Sequence, residues 1–296
     1  MINTIFTGAA VAIVTPMKYD GSVNFDKLAE LVDYQIANGT DAIVACGTTG
    51  ESPTLNHAEH VDVIKETIAA AAGRVPVIAG TGSNDTSYAI ELSKEAEKLG
   101  ADALLMVTPY YNKASQEGLY RHYTAVADSV DTPIILYNVP SRTGTKIGLE
   151  TYKRLGEHKN IVAAKEATGD ISFIANVAAE CRDTLDIYSG NDDQIVPILS
   201  LGGKGVISVL SNVAPQETHD ICAAFFEGDF KRSLDLQFKY LDLVHALFCD
   251  VNPICVKEAM NQLGYDVGEC RLPLCETSKA NKEYIAKALK EAGLVK

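Results

Sequence analysis

The chain has 296 residues, 47% hydrophobic and 22% charged, a globular composition large enough for one big α/β domain or two smaller ones. Its net charge of −13 argues against nucleic acid and anionic membrane surfaces, so neither is expected as a partner. No apolar run reaches membrane-spanning length, the N-terminus lacks a signal-peptide pattern, and seven scattered cysteines form no C-x-x-C pair. A cytoplasmic protein with reduced thiols is the expectation.

Strand-like apolar runs fall at residues 10–14, 42–46, 75–80, 103–107, 134–138, 161–165, 186–189 and 205–209. Amphipathic segments separate them, for example 25–38, 58–72, 87–99 and 117–129. Asn24 can cap the first of these, and Gly39, Gly73 and Gly100 follow three of them where a left-handed residue is favoured. Strict alternation of about eight strands with about eight helices predicts an α/β fold, a (β/α)₈ TIM barrel over residues 1–228. After the first run, Val14-Thr15-Pro16-Met17-Lys18-Tyr19 lacks the glycines of a dinucleotide-binding turn. Residues 229–296 read as helical throughout, about three helices packed on the barrel, with Asn252 capping one and Pro253 at its first position.

In such a barrel the reactive groups gather at the C-terminal ends of the strands. Four strand ends stand out. The sixth run ends on Lys165, where an apolar residue would be cheaper. An ordinary lysine there snorkels or pairs with Glu166, whereas a desolvated one has a depressed pKa and attacks carbonyls. The fifth ends Tyr137-Asn138-Val139-Pro140-Ser141-Arg142-Thr143-Gly144. Alternation puts Tyr137 on one face with Ile135, as it puts Lys165 on one face with Ala163, so neighbouring strands would bring phenol and amine together. Arg142 can grip a carboxylate bidentately. The second strand leads into Gly47-Thr48-Thr49-Gly50-Glu51-Ser52, whose glycines let backbone approach a ligand, and the fourth into Thr108-Pro109-Tyr110-Tyr111-Asn112.

These motifs, with Lys165-Glu166-Ala167-Thr168-Gly169 and Gly205-Val206-Ile207-Ser208-Val209, resemble the dihydrodipicolinate synthase family over nearly the whole chain. That family lies among the pyruvate-dependent class I aldolases, which include N-acetylneuraminate lyase. The resemblance implies a lyase that condenses pyruvate with L-aspartate 4-semialdehyde, giving 4-hydroxy-tetrahydrodipicolinate in diaminopimelate and lysine biosynthesis. It implies that Lys165 forms the Schiff base, Tyr137 moves the proton, and Thr48 and Tyr111 complete a relay, Tyr111 reaching in from an adjacent subunit. Thr49 would bind the pyruvate carboxylate, Arg142 that of the semialdehyde, and the carbonyls of Gly190 and Ile207 would line the pocket. No metal or organic cofactor is implied. A relay completed in trans implies a homo-oligomer, a dimer paired into a tetramer. The alternatives are another aldolase of the group, or a non-catalytic sensor on the same barrel.

In many bacterial members lysine inhibits at a subunit interface, and the matching positions here include Ser52, His57, His60, Asn84 and Tyr110. The acidic residue that senses lysine in the family falls on Tyr88, so weak or absent inhibition is expected. His57 and His60, three apart, share a helix face that would also suit a metal, but with no third ligand nearby in sequence no metal is expected.

Overall fold

The computed structural model describes residues 4–295. Eight parallel strands close into a barrel in chain order: β1 Gly8–Ala12, β2 Ala42–Ala45, β3 Val77–Gly80, β4 Ala103–Val107, β5 Ile134–Asn138, β6 Ile161–Glu166, β7 Asp186–Ser189 and β8 Gly205–Ser208. The first strand lies two residues earlier than its apolar pattern suggests. Gly8 and Gly205 meet at the β1–β8 seam, where a Cβ on Gly205 would stand 1.8 Å from the Gly8 carbonyl, so strand pairing there starts at a glycine that carries no apolar signal. Ile13 and Val14 are buried beyond the strand, and Val14 N donates to Asn212 Oδ1 at 3.1 Å. The third strand begins at Val77, after Pro76, which has no N–H to pair.

Around the barrel run α1 Phe25–Ala37, α2 His57–Ala71, α3 Thr86–Leu99, α4 Gln116–Ala127, the short α5 Pro140–Thr143, α6 Leu149–Gly156, α7 Ile171–Cys181, α8 Ile195–Ser200 and α9 Pro215–Phe226. Asn24 caps α1 by accepting from Lys27 N, and α2 starts with a reciprocal Asn56–Glu59 capping box. Among the described residues the remainder holds four helices, against the expected three or so: α10 Phe230–Lys239, α11 Leu241–Leu247, α12 Ile254–Gln262 and α13 Lys279–Glu291. Residues 263–278 are not helical. Nor does Asn252 cap α12, which begins after Pro253; its amide instead reaches the barrel mouth.

The barrel interior is filled mostly by small and branched side chains, among them Ala10, Ala42, Val44, Ile78, Ala103, Leu105, Ile135, Ala163 and Ile207. Phe6 stacks on Tyr188 at 4.3 Å, and the Tyr188 hydroxyl donates to Phe6 O at 2.7 Å. Interior residues this small leave room for larger polar groups on the same strands. No described helix is long and apolar enough to cross a membrane.

Candidate active site

Parallel pairing sets Tyr137 beside Lys165, and Lys165 beside Tyr188 on the next strand. The Lys165 amine rests over the Tyr137 ring, 4.4 Å from its centroid. The side chain is only 5% exposed. Burial pushes its pKa down to about 8, helped by the Arg142 guanidinium and opposed by the Asp192 carboxylate. At pH 7 that makes about one amine in ten neutral, against about one in three thousand for an unperturbed lysine. The alternative pairing with Glu166 does not occur. Glu166 faces the other side of β6, where Oε1 accepts from the Tyr152 hydroxyl at 2.5 Å and Asn138 Nδ2 at 2.9 Å, and Oε2 from Thr168 at 3.0 Å.

One measurement follows from this amine. The second-order rate of its reaction with a keto acid is expected to climb with unit slope below pH 8 and to flatten above it. An acid limb running on to pH 10 would show that the amine is not desolvated.

Tyr137 is itself buried, which raises its pKa; Arg142 and the Thr48 hydroxyl both pull it back. It therefore stands as a neutral phenol near pH 8, able to donate. Thr48 and Tyr137 border a small cavity together with Gly47 and Ser52. A larger cavity of about 440 Å³ opens beside it, lined among others by Thr48, Ser52, Tyr88, Tyr110 and Arg142. Arg142 sits on α5, exposed at this mouth, where its charge reaches both Tyr137 and Lys165.

Thr49 is 2% exposed, and its oxygen accepts from Asn252 Nδ2 at 3.0 Å. With that oxygen engaged as acceptor, its own proton is left to donate elsewhere. Ile207 is fully buried in the barrel interior. Gly190 follows β7, and a Cβ there would lie 2.7 Å from that of Ala167. Tyr111 does not join this group within one chain. It is 89% exposed on a left-handed backbone, φ 72°, while Tyr110 lines the cavity.

Several groups escaped the sequence reading. Asp192, 2% exposed, accepts from Val209 N at 3.0 Å and Leu210 N at 2.9 Å, tying the end of β7 to that of β8. An acid two residues past Gly190, at a seventh strand end, was the available signal. Asn252 had none, lying about two hundred residues from Thr49. The two histidines also part company: His60 is buried with Nε2 2.7 Å from Gly80 O, while His57 meets the Tyr88 hydroxyl at 3.3 Å and Glu95 at 3.1 Å. His57, Glu91 and Glu95 bring ligand atoms within 4.8 Å of one another.

A parallel eight-stranded barrel with a desolvated lysine on the sixth strand and a phenol against it defines a Schiff-base type of lyase. The model of the dihydrodipicolinate synthetase family matches residues 5–292, and the chain belongs to that family. A relative named 4-hydroxy-tetrahydrodipicolinate synthase, from Lachnoclostridium phytofermentans, is 58% identical over 98% of this chain and 99% of its own. The structure of the chloride-inhibited dihydrodipicolinate synthase of Acinetobacter baumannii, complexed with pyruvate, is similar with a TM-score of 0.96 and 46% identity, covering 99% of this chain and 100% of that one. A structure described as the first monomeric dihydrodipicolinate synthase variant also reaches 0.96, at 43% identity and 98% of each chain.

Proposed function

We propose that the chain condenses pyruvate with L-aspartate 4-semialdehyde to give 4-hydroxy-tetrahydrodipicolinate, the activity named for its relatives. The observation that carries this is the buried Lys165 amine packed on the Tyr137 ring in a chain of this family. Residues 1–228 form the catalytic barrel in this reading, and 229–296 an extension packed on it. Lys165 nitrogen attacks the keto carbon, and loss of water leaves an imine whose methyl group then gives up a proton. The resulting enamine carbon attacks the aldehyde, and the amino group of the second substrate closes the ring, releasing Lys165. Tyr137 donates and accepts the protons, passing them through Thr48 to Tyr111 of a second copy of the chain. Thr49 takes the pyruvate carboxylate beside the backbone of Gly190 and Ile207, and Arg142 holds the carboxylate of the semialdehyde.

Borohydride reduction in the presence of pyruvate, followed by peptide mass mapping, tests the reading. A mass gain on Lys165 is expected. No gain would favour a ligand sensor, and cleavage of N-acetylneuraminate without condensation would favour the lyase branch.

Exposure supports a homo-oligomer. Tyr111 projects from the fold, and α10 leaves Phe230 and Phe238 59% and 62% exposed, an apolar face suited to a second copy. We read the assembly as a dimer of dimers; one structural relative is described as a monomeric variant. Lysine is expected to inhibit weakly. Tyr88 borders the large cavity and meets His57 through a hydroxyl rather than a carboxylate. A missing charge-assisted bond costs about ten- to a hundredfold in affinity, so half-inhibition at micromolar lysine would contradict this.

A further inference from the structure

The loop after β2 owes its shape to the far end of the chain. Glu51 closes the turn in a left-handed conformation, φ 55°, at 2% exposure. Both of its carboxylate oxygens are taken by groups beyond residue 250: Oε1 by Lys257 Nζ at 2.8 Å and Oε2 by Arg271 N at 2.9 Å. Lys257 is equally buried and also donates to Thr15 O at 3.2 Å and Glu269 O at 2.8 Å, so its three protons have three acceptors. The same Thr15 donates its hydroxyl to Gly50 O at 2.7 Å, and Glu51 N donates to Thr48 O at 3.1 Å. At Gly50 a Cβ would meet Cys46 Cα at 3.2 Å, so the turn has no slack. Thr48 and Thr49 therefore run directly into two residues that Lys257 helps to fix, Gly50 through Thr15 and Glu51 through its carboxylate.

Adhesion alone does not explain this pair. An apolar pair of equal volume would pin the extension to the barrel as well or better, because burying two charges costs most of what their attraction returns. A fixed, fully bonded charge pair supplies direction as well as contact.

We propose that Lys257 is a positioning residue for the condensation: through Glu51 its ammonium holds Thr48 and Thr49 in register with Tyr137 and Lys165. This rests on the roles proposed above for the two threonines. Lys257→Met is expected to lower pyruvate kcat/KM about a hundredfold, the scale of a small misplacement at a reacting group, mainly through KM, while circular dichroism of the folded chain is unchanged. Glu51→Gln, which puts an amide donor opposite Lys257 or Arg271 N, is expected to fall in the same direction, and Lys257→Arg to recover part of the loss. The double variant should be no worse than Lys257→Met alone, since both act through one contact. Leu289→Ala, in the buried face of α13, should lower the melting temperature yet keep kcat/KM within about twofold, as a distant and independent site does.

Kinetics of Lys257→Met within about threefold of the parent would overturn the proposal. So would an equal loss in Leu289→Ala, which would mean general loosening. Should Lys257→Met fail to fold, Glu51→Gln decides, and an unchanged pyruvate KM there sinks the idea. Borohydride trapping of the unmodified chain separates the two questions: if pyruvate does not mark Lys165 even there, the reading of the function fails first.

Discussion

Lys165→Met is expected to lose turnover by about 10⁴-fold or more, since it removes the nitrogen proposed to form the imine, and at the same time to melt higher than its parent. The second half follows from linkage. The folded amine titrates near 8, below the unfolded value near 10.5, so the unfolded chain holds its proton more tightly. Folding stability therefore rises with pH between about 8 and 10.5, and below 8 the whole cost of burying the charge remains, about 3 kcal/mol at pH 7. Methionine fills similar volume without that cost. Thermal melts at pH 7 should place the variant several degrees above the parent, and the gap should close as pH approaches 10. A variant that melts lower at neutral pH would show that the amine is satisfied rather than strained.

Tyr137→Phe isolates the proton from the packing. The ring stays over the Lys165 amine and only the hydroxyl is lost, so the fold and the lysine environment should survive. Loss of one positioned acid–base group is worth about 10²–10⁴ in kcat. The acid limb near pH 8 belongs to Lys165 and should stay in place, since Tyr137 is not among the groups that shift it. Single-turnover trapping with pyruvate should slow in parallel with kcat. If kcat changes less than about threefold, the phenol is a packing residue and the proton travels another way.

The barrel was legible because alternation and helix punctuation agreed along the chain. Asn24, Gly39 and Gly100 act where their chemistry points, with Gly39 and Gly100 at positive φ. Boundaries failed where a residue serves packing instead of pairing, as at Val14, or where glycine meets glycine across the seam, as at Gly8. At the mouth, Lys165 and Tyr137 could be placed together because pairing of adjacent parallel strands is local information. Asn252 could not. An asparagine before a proline is equally good as a helix cap or as a donor to a distant hydroxyl, and only tertiary packing separates the two. The extension also divided further than expected, since α10 stops at Tyr240 and residues 263–278, which are not helical, cross to the loop after β2, where Arg271 N donates to Glu51 Oε2. Nothing in helical periodicity marks such a crossing.

A ribosome that has translated residue 228 has already made all eight strands, with Lys165 and Tyr137 on them. The amide that engages Thr49 and the ammonium that engages Glu51 are still to be polymerised. A nascent chain interrupted there has made Glu51 but neither of the two groups that its carboxylate engages, in a turn whose left-handed backbone is costly for a residue with a side chain. The order of synthesis thus keeps the threonine loop unfinished until residues 252–271 have emerged.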